Sequence, residues 1–204
     1  MARLRDRLRE ATSSSILGAA EHAFATQGLS GARMEDIAAG AGVSVGTLYN
    51  YFADRSAILA ALLESRRRDL TSLLDAAIIE TEDVPFETAL ERILATLLGH
   101  FEAHRPFLTI LMEGEWSREA SRGAMAVSPR ETMRAVHSRV ERLIQRGVTS
   151  GALESGPAPF YPAILMGIVR GVLVRAVFDK SAKLDLRASV PVLTEFFLHG
   201  AAAR

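Results

Sequence analysis

Residues 37–52 read IAAGAGVSVGTLYNYF, and this stretch decides the fold. Apolar residues recur at helical spacing up to Gly42, and Ser44 then stands where it can cap a second short helix. Gly42 suits a turn position that needs a positive φ, because residues with a β-carbon resist that conformation. Two short helices joined by a glycine-containing turn form a helix-turn-helix, whose second helix enters the major groove of DNA. The stretch therefore predicts a DNA-binding unit.

The second helix of this motif carries side chains that suit DNA. Val43 and Leu48 are expected to lock the two helices together, and Phe52 is expected to be a core residue. The remaining hydroxyl, amide and aromatic groups can contact base edges, sugars and the thymine methyl group. Arg55 follows at the start of the next helix, well placed for a phosphate. The residues predicted here to contact DNA are Ser44, Val45, Gly46, Thr47, Tyr49, Asn50, Tyr51 and Arg55.

Helical periodicity continues along almost the whole chain, without a useful strand-like alternation or an internal repeat. A first helix contains Ile16 to Phe24 and ends at Gly28. Glycine, proline and polar segments separate the others. They are predicted at Met34–Ala41, Val45–Tyr51, from Asp54 to about Ile79, and at about 86–103, 106–119, 130–150, 160–178 and 186–201. The sequence thus predicts an all-α protein of about nine helices.

Composition excludes several classes of protein. The chain has 204 residues, no cysteine, and 24 basic against 24 acidic residues. It can therefore hold neither a disulfide framework nor a thiolate metal site, and it suits a reducing cytosol. The N-terminal arginines have no apolar stretch behind them, so we expect no signal peptide. The apolar segment Phe160 to Phe178 is interrupted by Arg170 and Arg175, which predicts a buried helix of a soluble protein rather than a membrane span.

Three clusters leave alternatives open. The arginines at positions 3, 5, 7 and 9 form either an arm along DNA or a solvated tail. The run from Arg66 to Arg68 favours a solvated helix face over DNA contact. His100 and His104 have a spacing that can ligate zinc, but no third ligand is evident, so an ordinary histidine pair is the preferred interpretation and no metal is expected.

The second half of the chain offers candidates for a ligand pocket, each with a structural alternative. Phe101, Phe107, Leu111, Met112 and Trp116 either line a pocket or pack in the core. Arg170 and Arg175 either pair with Glu113, Glu115 or Asp179, or lie at a dimer rim, or hold an anionic group of an effector; the structural roles are preferred. Gly167 and Gly171 share a helix face and are consistent with a dimer seam.

The stretch from Ile16 to Leu63 closely resembles the DNA-binding domain of TetR-type regulators. The matching motifs are Ala-Ala-x-x-Ala-Phe-Ala-x-x-Gly, Met-x-Asp-Ile-Ala, Ala-Gly-Val-Ser-x-Gly-Thr-Leu-Tyr-x-Tyr-Phe and Ile-Leu. The resemblance implies that residues 47–51 lie on the recognition helix and that Arg55 replaces a phosphate-binding lysine. Where the family commonly has a capping threonine, this chain has Ala32 and Arg33. Arg33 joins the predicted phosphate contacts, and Ser30 is a candidate for the cap.

The resemblance also implies a helix-turn-helix domain at 1–54 and a helical effector-binding and dimerisation domain at 55–204. It implies a cytoplasmic homodimeric repressor that pairs through its last two helices, binds a palindromic operator and is released by a small molecule. The apolar helices favour a hydrophobic or amphipathic effector. The alternative is a ligand-independent DNA-binding protein that acts through protein partners. The sequence offers no converging set of titratable groups for an enzyme, and neither a cofactor nor a membrane partner is expected.

Overall fold

The computed structural model describes residues 2–116, 128–178 and 185–201. Within these ranges the chain forms nine α-helices and no strand, which confirms the all-α prediction. The helices are α1 (Ala2–Gln27), α2 (Met34–Ala41), α3 (Val45–Tyr51), α4 (Arg55–Glu80), α5 (Phe86–Ala103), α6 (Arg105–Trp116), α7 (Ser128–Thr149), α8 (Tyr161–Phe178) and α9 (Val190–Ala201). Short 3-10 turns at Ala158–Phe160 and Arg187–Ser189 lead into α8 and α9.

The chain divides into two compact units. The first comprises Met1–Arg66 and Pro106–Pro129, and the second comprises Arg67–Arg105 and Arg130–Arg204. Helix α4 therefore begins in the first unit and ends in the second. The functional boundary that the sequence suggests after residue 54 stays a prediction.

The first unit is built on contacts of α2 with both α1 and α3. Burial of a large apolar side chain stabilises a fold by about 1.5–3 kcal/mol. The core of this unit includes side chains with no exposed surface: Ile16, Ala20, Phe24, Ile37, Leu48, Ile58 and Leu62. A buried carboxylate interrupts this apolar set. Glu21 accepts hydrogen bonds from Nε and Nη2 of Arg66, at 2.9 and 2.6 Å. This ion pair joins α4 to α1. Removing either partner would leave the other charge poorly solvated and without this ion pair, which is strongly destabilising.

The second unit holds the C-terminal helices around α5 and α9. Phe86, Leu90, Leu94, Leu165 and Phe197 are among its buried residues. Gly147 allows α7 a close approach, since a β-carbon there would lie 2.7 Å from the Phe86 ring and 2.9 Å from Leu153. Buried Tyr161 meets Phe197 edge-on at 6.0 Å and so joins α8 to α9.

Charged side chains join α4 to α7 in the same unit. Asp75 accepts hydrogen bonds from Arg139 through both carboxylate oxygens and from Arg142 through Oδ1 at 2.9 Å. Arg146 donates to the carbonyls of Thr81 (2.6 Å) and Val84 (2.9 Å), just past the end of α4. One face of α7 therefore holds the C-terminal part of α4 and the turn after it.

The predicted helix boundaries agree with the observed ones in α4, α5 and α8 to within about a residue. Asp54 explains the start of α4, because its Oδ1 accepts the backbone N–H of Ala57 at 2.8 Å. Helix α9 begins at Val190 rather than near 186, because residues 187–189 form a 3-10 turn. The predicted end of the sixth helix near 119 lies outside the described residues.

Helix α1 begins far earlier than its apolar stripe indicates. The helix includes the arginine-rich residues after Ala2, so these residues are helical, and the choice between an arm along DNA and a solvated segment stays open. Residues 4–11 are all exposed, and the buried stripe starts at Ile16. Local helix propensity explains the extension, because arginine and leucine are good helix formers and no glycine or proline intervenes.

The prediction that residues 160–178 form a buried helix is wrong for the single chain. Among the described residues, Ala158–Phe178 has the length and hydropathy of a membrane-crossing helix, yet only 28% of its most apolar window is buried. The exposed face contains Ile164, Gly167, Arg170, Gly171 and Phe178. Hydropathy cannot separate a helix buried within its own chain from one that a second surface covers.

Candidate nucleic-acid interface

The turn of the helix-turn-helix has the backbone that its sequence predicts. Gly42 has φ +68°, in the left-handed region, and ends α2. Its N–H donates to Ala39 O at 3.1 Å, and the N–H of Val43 donates to Ala38 O at 3.0 Å. These bonds satisfy carbonyls that the end of α2 would otherwise leave open. The turn thereby fixes the direction in which α3 leaves.

Ser44 caps α3, as predicted. Its Oγ accepts the backbone N–H of Thr47 at 3.0 Å, and the hydroxyls of the two residues lie 2.8 Å apart. The cap depends on the backbone of Thr47 and not on its side chain. The Thr47 hydroxyl is therefore held at the first turn of α3, where recognition helices contact base edges.

Burial separates the two faces of α3. Leu48 is fully buried and anchors the helix, whereas Tyr49 is 52% exposed. Gly46 and Asn50 are exposed, and Val45, Thr47 and Tyr51 are half-buried. Phe52, expected in the core, is also only half-buried. The arrangement leaves a polar, partly aromatic surface available on one side of α3.

Arg55 is engaged inside the protein. Its Nη1 donates to the carbonyls of Ser30 (2.6 Å) and Ala32 (3.2 Å), which ties the start of α4 to the loop between α1 and α2. The next residue in that loop, Arg33, is exposed. Both arginines were predicted to contact phosphates, and both remain predictions; the structure adds an internal role for Arg55 alone.

The expected cap of α2 by Ser30 is wrong. Arg33 occupies the capping position and makes no capping hydrogen bond through its side chain. Acidic residues in the first turn, Glu35 and Asp36, stand at the positive end of the helix dipole instead.

Sequence reasoning missed one contact beside the recognition helix. The guanidinium of Arg9 lies over the ring of Tyr51, 5.7 Å from its centroid, in cation–π geometry. No local pattern indicates this contact, because its partners lie 42 positions apart in the sequence. The Glu21–Arg66 pair was also missed, although a carboxylate among the apolar positions of α1 is a signal that a cation must lie nearby.

The predicted ligand-pocket residues belong to helices α5, α6 and α8. Phe101 is buried in the second unit, whereas Phe107, Leu111 and Met112 are buried in α6 of the first. Arg170 is exposed on α8. The side chains of Trp116, Glu113 and Glu115 lie outside the described part of the chain, as does Asp179. A pocket lined by these residues stays a prediction.

The rings of His100 and His104 lie close together at the end of α5, inclined at 54° to one another. The rings of His100 and His104 have centroids 4.8 Å apart, and buried His100 also meets Phe101 edge-on at 5.9 Å. Within the described ranges, no three His, Cys, Asp or Glu side chains form a group that could hold a metal ion.

Known proteins of similar sequence are named as helix-turn-helix transcriptional regulators. Residues 16–62 match the sequence pattern of a family described as bacterial regulatory proteins, tetR family. The HTH-type transcriptional repressor SCO4008 of Streptomyces coelicolor is 28% identical over 170 residues, covering 81% of this chain and 80% of the repressor. The HTH-type transcriptional regulator SrpR of Pseudomonas putida is 26% identical over 184 residues, covering 89% of this chain and 80% of the regulator.

A solved structure shares the fold over nearly the full length. The transcriptional regulator FadR from Bacillus subtilis, crystallised in complex with stearoyl-CoA, superposes with a TM-score of 0.76 at 18% identity. The match covers 92% of this chain and 98% of FadR.

Proposed function

We propose that this chain, which belongs to the tetR family of bacterial regulatory proteins, is a homodimeric transcriptional repressor that binds a palindromic operator and is released by a small molecule. The observation that carries the proposal is the presentation of α3. Gly42 sets the direction of the helix, Ser44 caps it and Leu48 buries its inner face. Its outer face is then free to enter a major groove in a fixed orientation.

Affinity and specificity come from different residues in this proposal. Phosphate contacts by arginines supply much of the affinity, without reading the sequence. Specificity comes from the few groups on α3 that reach base edges, chiefly Thr47, Tyr49 and Asn50, with Ser44, Val45, Gly46 and Tyr51 contributing sugar, methyl and phosphate contacts.

Dimerisation is supported by the exposed apolar surface of α8 and α9. Phe160 just before α8, and Ile164 and Phe178 on it, are 66%, 48% and 60% exposed, and Val192 and Phe196 on α9 are 66% and 68% exposed. One short recognition helix reads too few base pairs for useful specificity, whereas a two-fold dimer doubles the site. We propose that these two faces meet their copies in a partner chain.

The effector is proposed to be hydrophobic or amphipathic. The FadR neighbour was crystallised with stearoyl-CoA, which combines an acyl chain with an anionic head, and that supports a ligand of this class here. Phe101, Phe107, Leu111, Met112 and Trp116 would supply apolar contacts, and the cationic Arg170 would bind an anionic group of the effector. The effector acts by binding one conformer more tightly than the other, since only differential affinity can release DNA. A DNA-binding regulator of this kind works in the cytoplasm, on the nucleoid, and the proposal includes no enzymatic step.

The proposal is tested by fluorescence anisotropy with the DNA upstream of the protein's own gene, at physiological salt and with competitor DNA. We expect wild-type protein to bind tightly, with two protomers or a multiple of two per site. The double variant T47A/Y49A should lose at least about 30-fold in operator affinity, since it removes two contacts and each good base contact contributes about 1–3 kcal/mol. Its fold should persist, because the Ser44 cap uses the backbone N–H of Thr47.

The matched control is T149A, which removes an exposed threonine near the end of α7. Circular dichroism and sedimentation should be the same for both variants and the wild type. Unchanged operator affinity in T47A/Y49A would contradict the assignment of α3. Wild-type binding that is equally weak on every sequence, including sites selected from random DNA, would contradict the repressor proposal.

A further inference from the structure

We infer that Arg5 and Arg9 form a second DNA-contacting element, which binds the phosphate backbone beside the groove that α3 reads. The inference rests on the proposed function and adds to it a set of contacts outside the helix-turn-helix. We call these two residues the arginine pair of α1.

The first three turns of α1 extend beyond the core of the first unit. The helix is continuous from Ala2 to Gln27, yet its buried stripe begins only at Ile16. Residues 4–11 are exposed throughout. This part of α1 therefore contributes no side chain to the core. Because it is helical, its side chains are regularly spaced along the surface.

The contact between Arg9 and Tyr51 fixes which way this array faces. The Arg9 guanidinium lies 5.7 Å from the centroid of the Tyr51 ring, and Tyr51 is the last residue of α3. Arg5 lies one helical turn earlier, on the same face as Arg9. The pair is thus aligned with the recognition helix, and Arg5 lies one turn beyond Tyr51 along α1.

The two carboxylates of this segment lie at different angles from Arg9. Successive residues of a helix are rotated by about 100°, so Asp6, three residues before Arg9, lies about 60° around the helix from it, and Glu10 lies about 100° from it on the same side. Arg7 lies on the opposite side of the helix from Arg9, by the same geometry. The side that faces α3 therefore carries two arginines flanked by one carboxylate, Asp6, so it is net basic although the whole chain has a net charge of zero.

DNA is the occupant that fits this face. Phosphates at the edge of a groove occupied by α3 would lie next to Tyr51, the residue that Arg9 covers. Guanidinium groups bind phosphate in a bidentate manner. Leu4 and Leu8, which are 64% and 59% exposed, flank the arginine pair on the side away from Asp6.

The experiment compares R5Q, R9Q and R7Q by fluorescence anisotropy across a salt series, on the operator and on a random-sequence duplex of equal length. All three variants remove one charge from the same exposed helix, and glutamine keeps its helix propensity. For R5Q and R9Q we expect the salt slope of log K to fall by about 0.9 each, which means about fivefold weaker binding at 0.15 M salt. R7Q should stay close to the wild type.

The loss should be equal on both duplexes, because phosphate contacts do not read sequence. T47A/Y49A, by contrast, should lose affinity on the operator alone. The two results separate the arginine pair from the recognition helix. If no specific operator exists and the proposed function fails, binding to the random duplex still measures how much Arg5 and Arg9 contribute to DNA affinity. Slopes for R5Q and R9Q that equal those of R7Q and wild type would overturn the inference, as would a loss confined to the operator.

Discussion

At the scale of single residues, Arg33 and Arg55 show how one loop can serve both stability and binding. Nη1 of Arg55 holds the carbonyls of Ser30 and Ala32, so it fixes the loop immediately before Arg33. Arg33 itself is exposed and makes no capping bond. We therefore assign the internal hydrogen bonds to Arg55 and expect Arg33 to make the stronger phosphate contact of the two.

The variants R33Q and R55Q test this division, since each removes one charge. R55Q should lower the free energy of unfolding by about 1–2 kcal/mol, because two carbonyls lose a charged donor. R33Q should leave stability within about 0.5 kcal/mol, as exposed substitutions commonly do, and should lower the salt slope of DNA binding by about 0.9. Urea unfolding and the anisotropy salt series measure the two effects. The opposite pattern, with R33Q unstable and R55Q alone changing the salt slope, would show that the roles are exchanged.

Residue-scale features were predictable where the cause is local. Gly42 and Ser44 act through the backbone of their immediate neighbours, so the sequence alone indicates the turn and the cap. Arg9 and Arg55 contact residues 42 and 25 positions away, respectively. Such contacts depend on how helices pack, and no local pattern predicts them.

At the scale of helices, α4 is held by ion pairs in both units to which it belongs. Glu21 pairs with Arg66 in the first, and Asp75 pairs with Arg139 and Arg142 in the second. Hydrogen bonds from Arg139, followed by its charge and by Arg142, lower the pKa of Asp75 below its ordinary value of 3.8 against the opposing effect of burial. The folded state therefore favours the ionised carboxylate.

This shift predicts how stability depends on pH. A carboxylate with a lowered pKa in the folded state contributes stability above its unfolded pKa, and the contribution disappears as pH falls through the folded value. D75N should thus be less stable than wild type at pH 7, and the difference should shrink below about pH 3.8. Urea unfolding between pH 7 and pH 3 measures it, with D83N at an exposed position as the control. A difference that stays constant across that range would contradict the linkage.

Helix boundaries followed from the sequence wherever glycine, proline or a capping side chain marks them, as at Gly28, Asp54 and Pro85. The start of α1 did not, because its arginine-rich turns have no apolar stripe to reveal them. The burial of α8 was misjudged for another reason. An apolar helix face has the same sequence whether its cover comes from the same chain or from another.

At the scale of the whole molecule, the exposed faces of α8 and α9 predict that two copies of the chain pair through these helices. Phe196 and Val192 lie one turn apart on α9 and are both about two-thirds exposed. Large aromatic residues near the middle of an interface commonly contribute 2 kcal/mol or more to association. A charge at Phe196 would be buried without a partner in the dimer.

F196E should therefore weaken self-association by about 30-fold or more, measured by sedimentation equilibrium. The control is I79E, because Ile79 is 71% exposed on α4 but lies on neither α8 nor α9. Operator affinity should fall together with dimerisation in F196E and stay unchanged in I79E. Sedimentation of F196E as wild type, or dissociation of I79E to the same extent, would place the interface elsewhere.

The position of Arg170 on α8 also affects whether this helix can insert into a lipid bilayer. A newly synthesised chain exposes Ala158–Phe178, a segment as long and apolar as one that crosses a bilayer. An arginine near the centre of such a segment raises its insertion free energy by about 2.5–3.5 kcal/mol, which offsets roughly six leucine or phenylalanine side chains. Arg175, close to the end, can snorkel to the lipid headgroups and opposes insertion less. Arg170 thus disfavours capture of the helix by a lipid bilayer before the proposed dimer forms.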